Sequence, residues 1–392
     1  MGFLTAVPNQ DPRQIVRHFT PNWFAANMGT GILALMLALF PYGHWGQKLL
    51  AQGLWGINCA FFVLFSLLFL GRALFYPNSF RRLFEHPVQS LFLGAIPMGL
   101  ATIINGFLII WPTNAGTVAW ALGLWWVDVL LAVTSVLLVP FFMFTRHAHS
   151  MERMTAAWLL PIVPPEVTAA SGGLVAPHVG IAMAQTIVYL SYILWGISVL
   201  LAMGVLAILL LRLTLHKLPH QDMAVSAWLP LGPLGTGAMA MITLGNADPA
   251  IFAGSLADMA HFAELAGVMV ALLLWGFGLW WMLMAIFFTL RYLREGLPFN
   301  MGWWGFTFPL GVFNSATYLL ADKTGFWLFL PLGAAFTVLL AFFWVLVTRK
   351  SFAGMWSGQL FRAPCLSEET GLPQTCGDTP AGRPDLISTL RQ

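Results

Sequence analysis

The sequence predicts an all-α integral membrane protein in which ten transmembrane helices form five helical hairpins. Three observations lead to this fold class. Of the 392 residues, 59% are hydrophobic and only 8% are charged, whereas about one quarter of the residues of a soluble domain are charged. Ten continuous apolar runs are long enough to cross a bilayer as helices. Lysine and arginine residues gather in alternate loops between these runs.

The ten predicted spans divide the chain into three parts. Residues 1–21 are a cytoplasmic N-terminal segment, residues 22–348 are the transmembrane domain, and residues 349–392 are a cytoplasmic tail. The tail is rich in Pro, Gly, Ser, Thr and acidic residues, which predicts that it is mostly disordered. The spans cover residues 22–40, 50–75, 89–111, 118–144, 156–176, 183–213, 224–245, 261–290, 302–320 and 326–348.

The basic residues predict the orientation of these spans. Arg13 and Arg17 precede the first span, and only Lys48 and Lys323 fall on the opposite side of the membrane when ten spans are threaded. Because basic loops favour the cytoplasmic side, both termini are predicted to be cytoplasmic, in a multi-pass protein of the cell (inner or plasma) membrane. The net charge of +3 then reflects topology, and no nucleic-acid partner is expected.

Glycine and proline residues separate the spans into two alternating classes. The odd-numbered spans are interrupted, and the even-numbered spans are longer and smoother. Irregular backbone at membrane depth is tolerated where it lines a path or is buried in protein. Five kinked helices are therefore predicted to line a central pore; the alternative is close helix packing, in which both residue types are frequent. The predicted kinks are Gly29, Gly31, Pro97, Pro164, Pro165, Pro230, Pro233 and Pro309.

The interrupted spans carry hydroxyl and amide side chains, Asn105 and Ser315 among them, but no Lys or Arg. This composition predicts a narrow, weakly polar passage that holds an ion loosely. Each polar residue has an alternative role in hydrogen bonding within or between helices. Glu166 is a candidate for binding a proton, or for capping the helix that restarts after two prolines. The candidate pore-lining residues are Thr30, Thr102, Glu166, Gly235, Thr236, Gly237 and Asn314.

Several function classes lose support from the sequence. None of the nine histidines forms a facing pair at mid-membrane depth, as haem ligands would. No mid-span lysine is placed for a retinal Schiff base, and there is no phosphate-binding glycine loop. We therefore expect no enzyme activity, no cofactor and no metal site. A membrane sensor or scaffold that binds partners through its tail, and a membrane redox enzyme, are the alternatives to a transporter.

Four segments resemble a known family. They are "HFTPNWFAANMGTGILAL" at 18–35, "PPEVTAASGGLVAPH" at 164–178, "LPLGPLGTGA" at 229–238 and "WWGFTFPLG" at 303–311. These segments resemble the tellurite-resistance/dicarboxylate transporter (TDT) family, which includes bacterial TehA, plant slow anion channels, fungal malate permeases and fungal sulfite efflux proteins. The resemblance covers approximately residues 15–350 and leaves the tail outside it.

The resemblance implies a homotrimer with one pore in each subunit, lined by the odd-numbered helices. It also implies a phenylalanine on the ninth helix that occludes the pore, which falls on Phe308, before Pro309, with Phe306 as the alternative. Members of the family carry different small inorganic or dicarboxylate anions. We expect C4-dicarboxylates such as malate, because "MGTGILAL" and "PPEV" look nearer the bacterial and fungal transporters. A chloride or nitrate channel, or a sulfite or tellurite efflux protein, is the alternative.

Overall fold

The computed structural model describes residues 11–252 and 258–357, together with residues 360, 363, 365 and 366. Within these residues the chain is helical and contains no strand. Seven of the described helical segments are long enough and apolar enough to cross a membrane. The predicted all-α membrane fold is thereby confirmed. Most of the predicted disordered tail lies outside the described residues.

Twelve α-helices occur in the described part of the chain. Two of them, α1 and α4, are short and lie outside the predicted spans. The last helix continues beyond residue 348, where the transmembrane domain was predicted to end. The helices are α1 (Pro12–Arg17), α2 (Phe24–Ala38), α3 (Trp45–Phe75), α4 (Pro77–Glu85), α5 (Ala95–Ile109), α6 (Ala115–Thr145), α7 (Pro164–Val175), α8 (Ile181–His216), α9 (Leu231–Gly245), α10 (Met259–Glu295), α11 (Phe308–Thr324) and α12 (Phe329–Trp356).

The ten longer helices form two layers. The inner helices α2, α5, α7, α9 and α11 have 12–17 residues and are largely buried, α9 along its whole length. The outer helices α3, α6, α8, α10 and α12 have 28–37 residues. They expose apolar side chains such as Leu130, Leu200 and Leu273, as lipid-facing helices do. An outer helix follows each inner helix in the sequence, so successive long helices belong alternately to the inner and the outer layer.

The inner helices form a closed ring. α2 contacts α5, α5 contacts α7, α7 contacts α9, α9 contacts α11, and α11 returns to α2. Glycines permit this close approach. A Cβ atom at Gly235 of α9 would lie 2.5 Å from the backbone N and Cα of Phe313, and one at Gly311 of α11 would lie 2.3 Å from Cγ1 of Ile32. Both distances are too short for a real Cβ, so these contacts require glycine.

In four of the five odd-numbered spans, the predicted prolines lie at the start of the inner helix and not at its middle. The six predicted prolines (97, 164, 165, 230, 233 and 309) all lie at the N-cap or among the first three residues of a helix. Proline is tolerated there, because the first backbone N–H groups have no intrahelical acceptor to lose. A short 3₁₀ segment precedes each inner helix, at Pro21–Trp23, Gln89–Gly94, Ala156–Leu159, Gln221–Trp228 and Met301–Phe306.

Gly29 and Gly31, at which kinks are predicted, do not interrupt helix α2, whose helical turns continue through both residues. These glycines instead make room for neighbouring side chains. A Cβ at Gly29 would lie 2.3 Å from Oγ1 of Thr307, and one at Gly31 would lie 2.0 Å from Oγ1 of Thr102. At these two positions close packing accounts for the glycines, and a bend of the helix axis stays a prediction.

Candidate functional site

A cavity of about 960 Å³ lies among the inner helices, and all five of them contribute side chains to its wall. Of the outer helices, only the first turn of α12 contributes, through Leu330 and Pro331, as far as the described residues show. Most of the wall is apolar. The polar side chains of the wall are Tyr42, Thr102, Asn105, Thr236, Ser315, Tyr318 and Asp322.

Helix α11 presents one face to this cavity along nearly its whole length. Phe308, Val312, Ser315, Leu319 and Asp322 line the wall, and their spacing of four, three, four and three residues places them on one side of an α-helix. At a rise of 1.5 Å per residue, the stretch from Phe308 to Asp322 measures about 21 Å. The length of this stretch equals roughly two thirds of the thickness of the 30 Å hydrocarbon core of a bilayer.

The two ends of the cavity differ. At one end lies Phe308, the first residue of α11, which is only 3% exposed. None of the described residues in the 3₁₀ segments before the inner helices lines the cavity. At the other end the wall includes Tyr42, Phe326 and Trp327, which are 64%, 47% and 74% exposed. The cavity thus stops at Phe308 on one side and reaches the protein surface on the other.

The two phenylalanines considered as a gate have different surroundings. The ring of Phe306 stacks on Phe343 with 4.7 Å between centroids, and it meets Trp228 and Trp303 edge-on at 5.5 and 5.9 Å. Phe306 does not line the cavity. Phe308 lines it and makes no comparable ring contact among the described residues. Of the two predicted gate residues, Phe308 therefore borders the cavity and Phe306 packs outside it.

Thr102 and Thr236 are the two predicted pore-lining residues that line the cavity. Thr30 accepts a hydrogen bond of 3.1 Å from a tryptophan of α12, and Asn314 donates one of 2.8 Å to a threonine of the same helix. Thr30 and Asn314 therefore face outward, towards α12. Helical periodicity could not reveal this difference, since the inner helices are apolar on all sides.

Neither of the two predicted glycines of α9 lines the cavity. Gly235 lies against the backbone of α11, as described above. A Cβ at Gly237 would lie 3.1 Å from Cδ1 of Leu274 and 3.2 Å from Cγ2 of Val199, both on outer helices. Gly235 and Gly237 are packing positions on either side of Thr236.

Glu166 is fully buried beside the cavity and does not line it. Its Oε1 lies 2.6 Å from the hydroxyl of Thr236, and that hydroxyl also lies 2.7 Å from the carbonyl oxygen of Gly232. The threonine has one proton and can donate to only one of these oxygens. Both contacts are satisfied when Glu166 is a neutral acid that donates to Thr236 while Thr236 donates to the carbonyl. An unpaired carboxylate at this depth is costly, which favours the same assignment.

Asp128 repeats this arrangement at the junction of α6 and α7. It is fully buried, and its Oδ2 lies 2.7 Å from the hydroxyl of Thr168, which also contacts the carbonyl of Pro164 at 3.1 Å. Trp125 of α6 donates a hydrogen bond of 2.9 Å to the backbone carbonyl of Thr168. Asp128 therefore attaches an outer helix to an inner helix away from the cavity wall.

The sequence did not indicate Tyr42 and Asp322, which lie at the exposed end of the cavity. Both fall just beyond the predicted spans, where hydropathy gives no signal. The helical spacing from Phe308 along α11 is the signal that could have found Asp322.

A ring of buried helices around an elongated, largely apolar cavity, enclosed by helices with exposed apolar faces, defines a membrane transport protein. The family model of voltage-dependent anion channels, SLAC1, matches residues 18–351. The chain belongs to this family, which confirms the family predicted from its sequence segments.

Three relatives show the range of the family. The sulfite efflux pump of Arthroderma benhamiae is 40% identical over 355 residues, which cover 88% of this chain and 93% of that protein. An uncharacterized transporter of Methanocaldococcus jannaschii is 31% identical over 350 residues, covering 88% of this chain and 98% of the relative. The malic acid transport protein of Schizosaccharomyces pombe is 24% identical over 348 residues, covering 87% and 79%.

Members of the family are transporters or channels and not enzymes. The chain is therefore a multi-pass membrane protein that transports anions, as the sequence predicted. The choice among anions requires the chemistry of the cavity.

Proposed function

We propose that the chain passes small, singly charged anions through the cavity between its inner helices, hydrogensulfite foremost, and that Phe308 closes this path. The observation that carries the proposal is the charge of the wall. None of the described cavity-lining residues is a lysine or arginine, and the charged one, Asp322, is acidic.

An uncharged wall favours monoanions over dianions. The cost of moving an ion out of water rises with the square of its charge, so a dianion costs about four times as much as a monoanion of equal size. Hydroxyl and amide dipoles offset the smaller cost more readily than the larger one. Fully ionised malate would need basic partners that this wall does not supply. Malate, which the sequence favoured, is therefore our second candidate.

The named relatives support the same ranking of substrates, with sulfite ahead of malate. Sulfite efflux pumps are 39% and 40% identical to this chain, whereas the malic acid transport protein is 24% identical. Nitrate and chloride fit the charge argument equally well, and belong in any experiment that ranks substrates.

Phe308 supports the gating part of the proposal through its position. It lies at the buried end of the cavity, on the helix face that forms the wall. A flat ring at this point blocks the passage beyond it until the side chain moves. We propose that Glu166, held at Thr236 as a neutral acid, keeps negative charge away from the same end of the path.

The proposed topology has ten crossings with both termini in the cytoplasm of a plasma-membrane protein. Each inner helix is short, and the 3₁₀ segment before it supplies the rest of the crossing. We further propose the homotrimer that the sequence resemblance implies, with one pathway in each subunit. The exposed apolar faces of the outer helices are compatible with contact to lipid or to a neighbouring subunit.

Flux from proteoliposomes tests this proposal. The purified full chain is reconstituted, and the release of sulfite, nitrate, chloride and malate is measured at equal concentration with the membrane potential clamped. At a pH where hydrogensulfite is the main sulfite species and malate carries two charges, we expect the release of sulfite and nitrate to exceed that of malate by about tenfold or more, because of the square-law cost of charge. Malate release faster than sulfite release would reverse our order, and a panel with no flux would refute the proposed function.

A further inference from the structure

The polar groups of the cavity wall differ in whether their donors are free. The hydroxyl of Thr102 donates to the carbonyl of Gly99 at 2.7 Å and accepts a hydrogen bond of 2.9 Å from an asparagine amide of α3. The hydroxyl of Thr236 is held between Glu166 and a backbone carbonyl. Neither threonine has a proton available for a ligand. An anion in the cavity must therefore find its donors elsewhere.

Asn105 is the free donor. It lines the cavity and is 6% exposed. Its donor atom, Nδ2, has no hydrogen-bond partner among the described residues and is not one of the fully buried atoms, whereas its acceptor, Oδ1, is buried without a partner. Most buried amides are hydrogen-bonded, so an unpartnered one requires an explanation. The Nδ2 group of Asn105 gains a partner if it donates to an anion in the cavity.

Ser315 is a second available donor. It is 5% exposed and lines the cavity. Among the described residues, its hydroxyl makes only long contacts, 3.2 Å to the carbonyl of Gly311 and 3.7 Å to Sδ of Met36. A hydroxyl held this weakly can turn towards a ligand, since its proton rotates freely about the C–O bond.

Asn105 and Ser315 lie at nearly the same depth. Helices α2, α5 and α11 run in parallel, and Thr102 meets α2 at Gly31, whereas Ser315 meets it at Met36. Asn105 lies three residues beyond Thr102 and is thus level with residue 34 of α2. Two residues of α-helix separate the levels of Asn105 and Ser315, about 3 Å along the axis. By the same measure, Ser315 lies about 10 Å from the level of Phe308.

We propose that Asn105 and Ser315 form a binding site for one small oxyanion midway along the cavity. The proposal rests on the proposed function and names the site that it uses. An oxyanion offers several acceptor oxygens, and can accept from the amide and the hydroxyl together. Two neutral donors and no basic side chain hold the anion loosely, which allows rapid release. Phe308 then closes the pathway two helical turns beyond the bound anion.

The concentration dependence of nitrate and sulfite flux tests this site. Asn105→Leu removes the amide donor and keeps a similar volume, so we expect the half-saturation concentration to rise about tenfold, the effect of losing one hydrogen bond to a charged ligand. Asn105→Gln keeps an amide, and should stay within about threefold of the wild type. Ser315→Ala should raise the half-saturation concentration about threefold. Thr30→Val is the matched control, because its hydroxyl faces α12 and not the cavity.

The outcomes separate this site from the proposed function. A half-saturation concentration for Asn105→Leu within twofold of the wild type would overturn the site and leave the transport proposal intact. An equal rise for Thr30→Val would also overturn it. If Asn105→Leu does not fold, Ser315→Ala decides, and no rise in that variant overturns the site. Wild-type vesicles that release none of the anions would overturn the transport proposal and the site together.

Discussion

Replacing Phe308 with alanine removes the ring at the buried end of the cavity and leaves the rest of the wall in place. Because the ring is only 3% exposed, it must push into packed neighbours whenever an anion passes. Forcing extra volume into a packed interior costs about 1–3 kcal/mol. Each 1.36 kcal/mol removed from a barrier raises a rate tenfold. We therefore expect Phe308→Ala to raise anion flux about five- to a hundredfold.

Phe306→Ala is the matched control for this experiment, since Phe306 is equally buried, at 2%, and two residues away. Truncating a buried phenylalanine costs about 3–5 kcal/mol of folding free energy. Phe306 also has three ring partners, each worth about 0.5–1.5 kcal/mol, so its truncation should lie at the upper end of that range. Phe308→Ala should lie at the lower end, because the ring borders an existing cavity.

Flux is measured in proteoliposomes at equal protein density, and thermal unfolding of each variant is measured in detergent. We expect opposite rankings of the two variants: Phe308→Ala increases flux more, and Phe306→Ala lowers the unfolding temperature more. A folded Phe308→Ala protein with wild-type flux would refute the gating argument. An increase in flux for Phe306→Ala alone would transfer the gate to that residue.

Three further predictions concern packing and pH. Gly235→Ala should lower the unfolding temperature, since its Cβ would lie 2.5 Å from the α11 backbone, whereas Gly232→Ala meets nothing within 4 Å; equal unfolding temperatures would contradict this packing. Glu166→Gln should keep the contact with Thr236 and flatten a decline of flux with rising pH, because it cannot ionise beside the cavity; an unchanged pH profile would make Glu166 purely structural. Burial lowers the pKa of His149, in the loop after α6, so the unfolded chain binds this proton more tightly, and stability should fall as pH drops below about 6.5. His149→Gln should reduce that fall in thermal melts, and an unchanged pH dependence would count against it.

The layered fold could be predicted because the alternation of interrupted and smooth apolar spans is repeated along the chain. Prolines such as Pro164 and Pro233 mark the starts of the short helices, and smooth apolar runs mark the long ones. The sequence could not show which glycines bend a helix and which make room for a neighbouring side chain, because glycine is frequent in both roles. Gly31 is an example, since it lies in an unbroken helix and makes room for Thr102.

The cavity wall could be predicted only in part. An inner helix is buried on all sides, so no polar or apolar face shows which side meets the cavity. Thr30 and Thr102 look alike in the sequence, yet Thr102 lines the cavity and Thr30 bonds to α12. The choice between sulfite and malate depends on the charge of the assembled wall, which requires all five helices together.

Blocking the cavity with a thiol reagent tests most directly whether anions pass through it. Leu319→Cys, on the cavity face of α11, is made in a chain whose Cys59, Cys365 and Cys376 are replaced. Asn114→Cys, at an exposed helix cap, is the labelled control. A bulky, uncharged thiol reagent should abolish nitrate flux through Leu319→Cys and leave flux through Asn114→Cys unchanged. Complete labelling of Leu319→Cys without loss of flux would show that anions take another path.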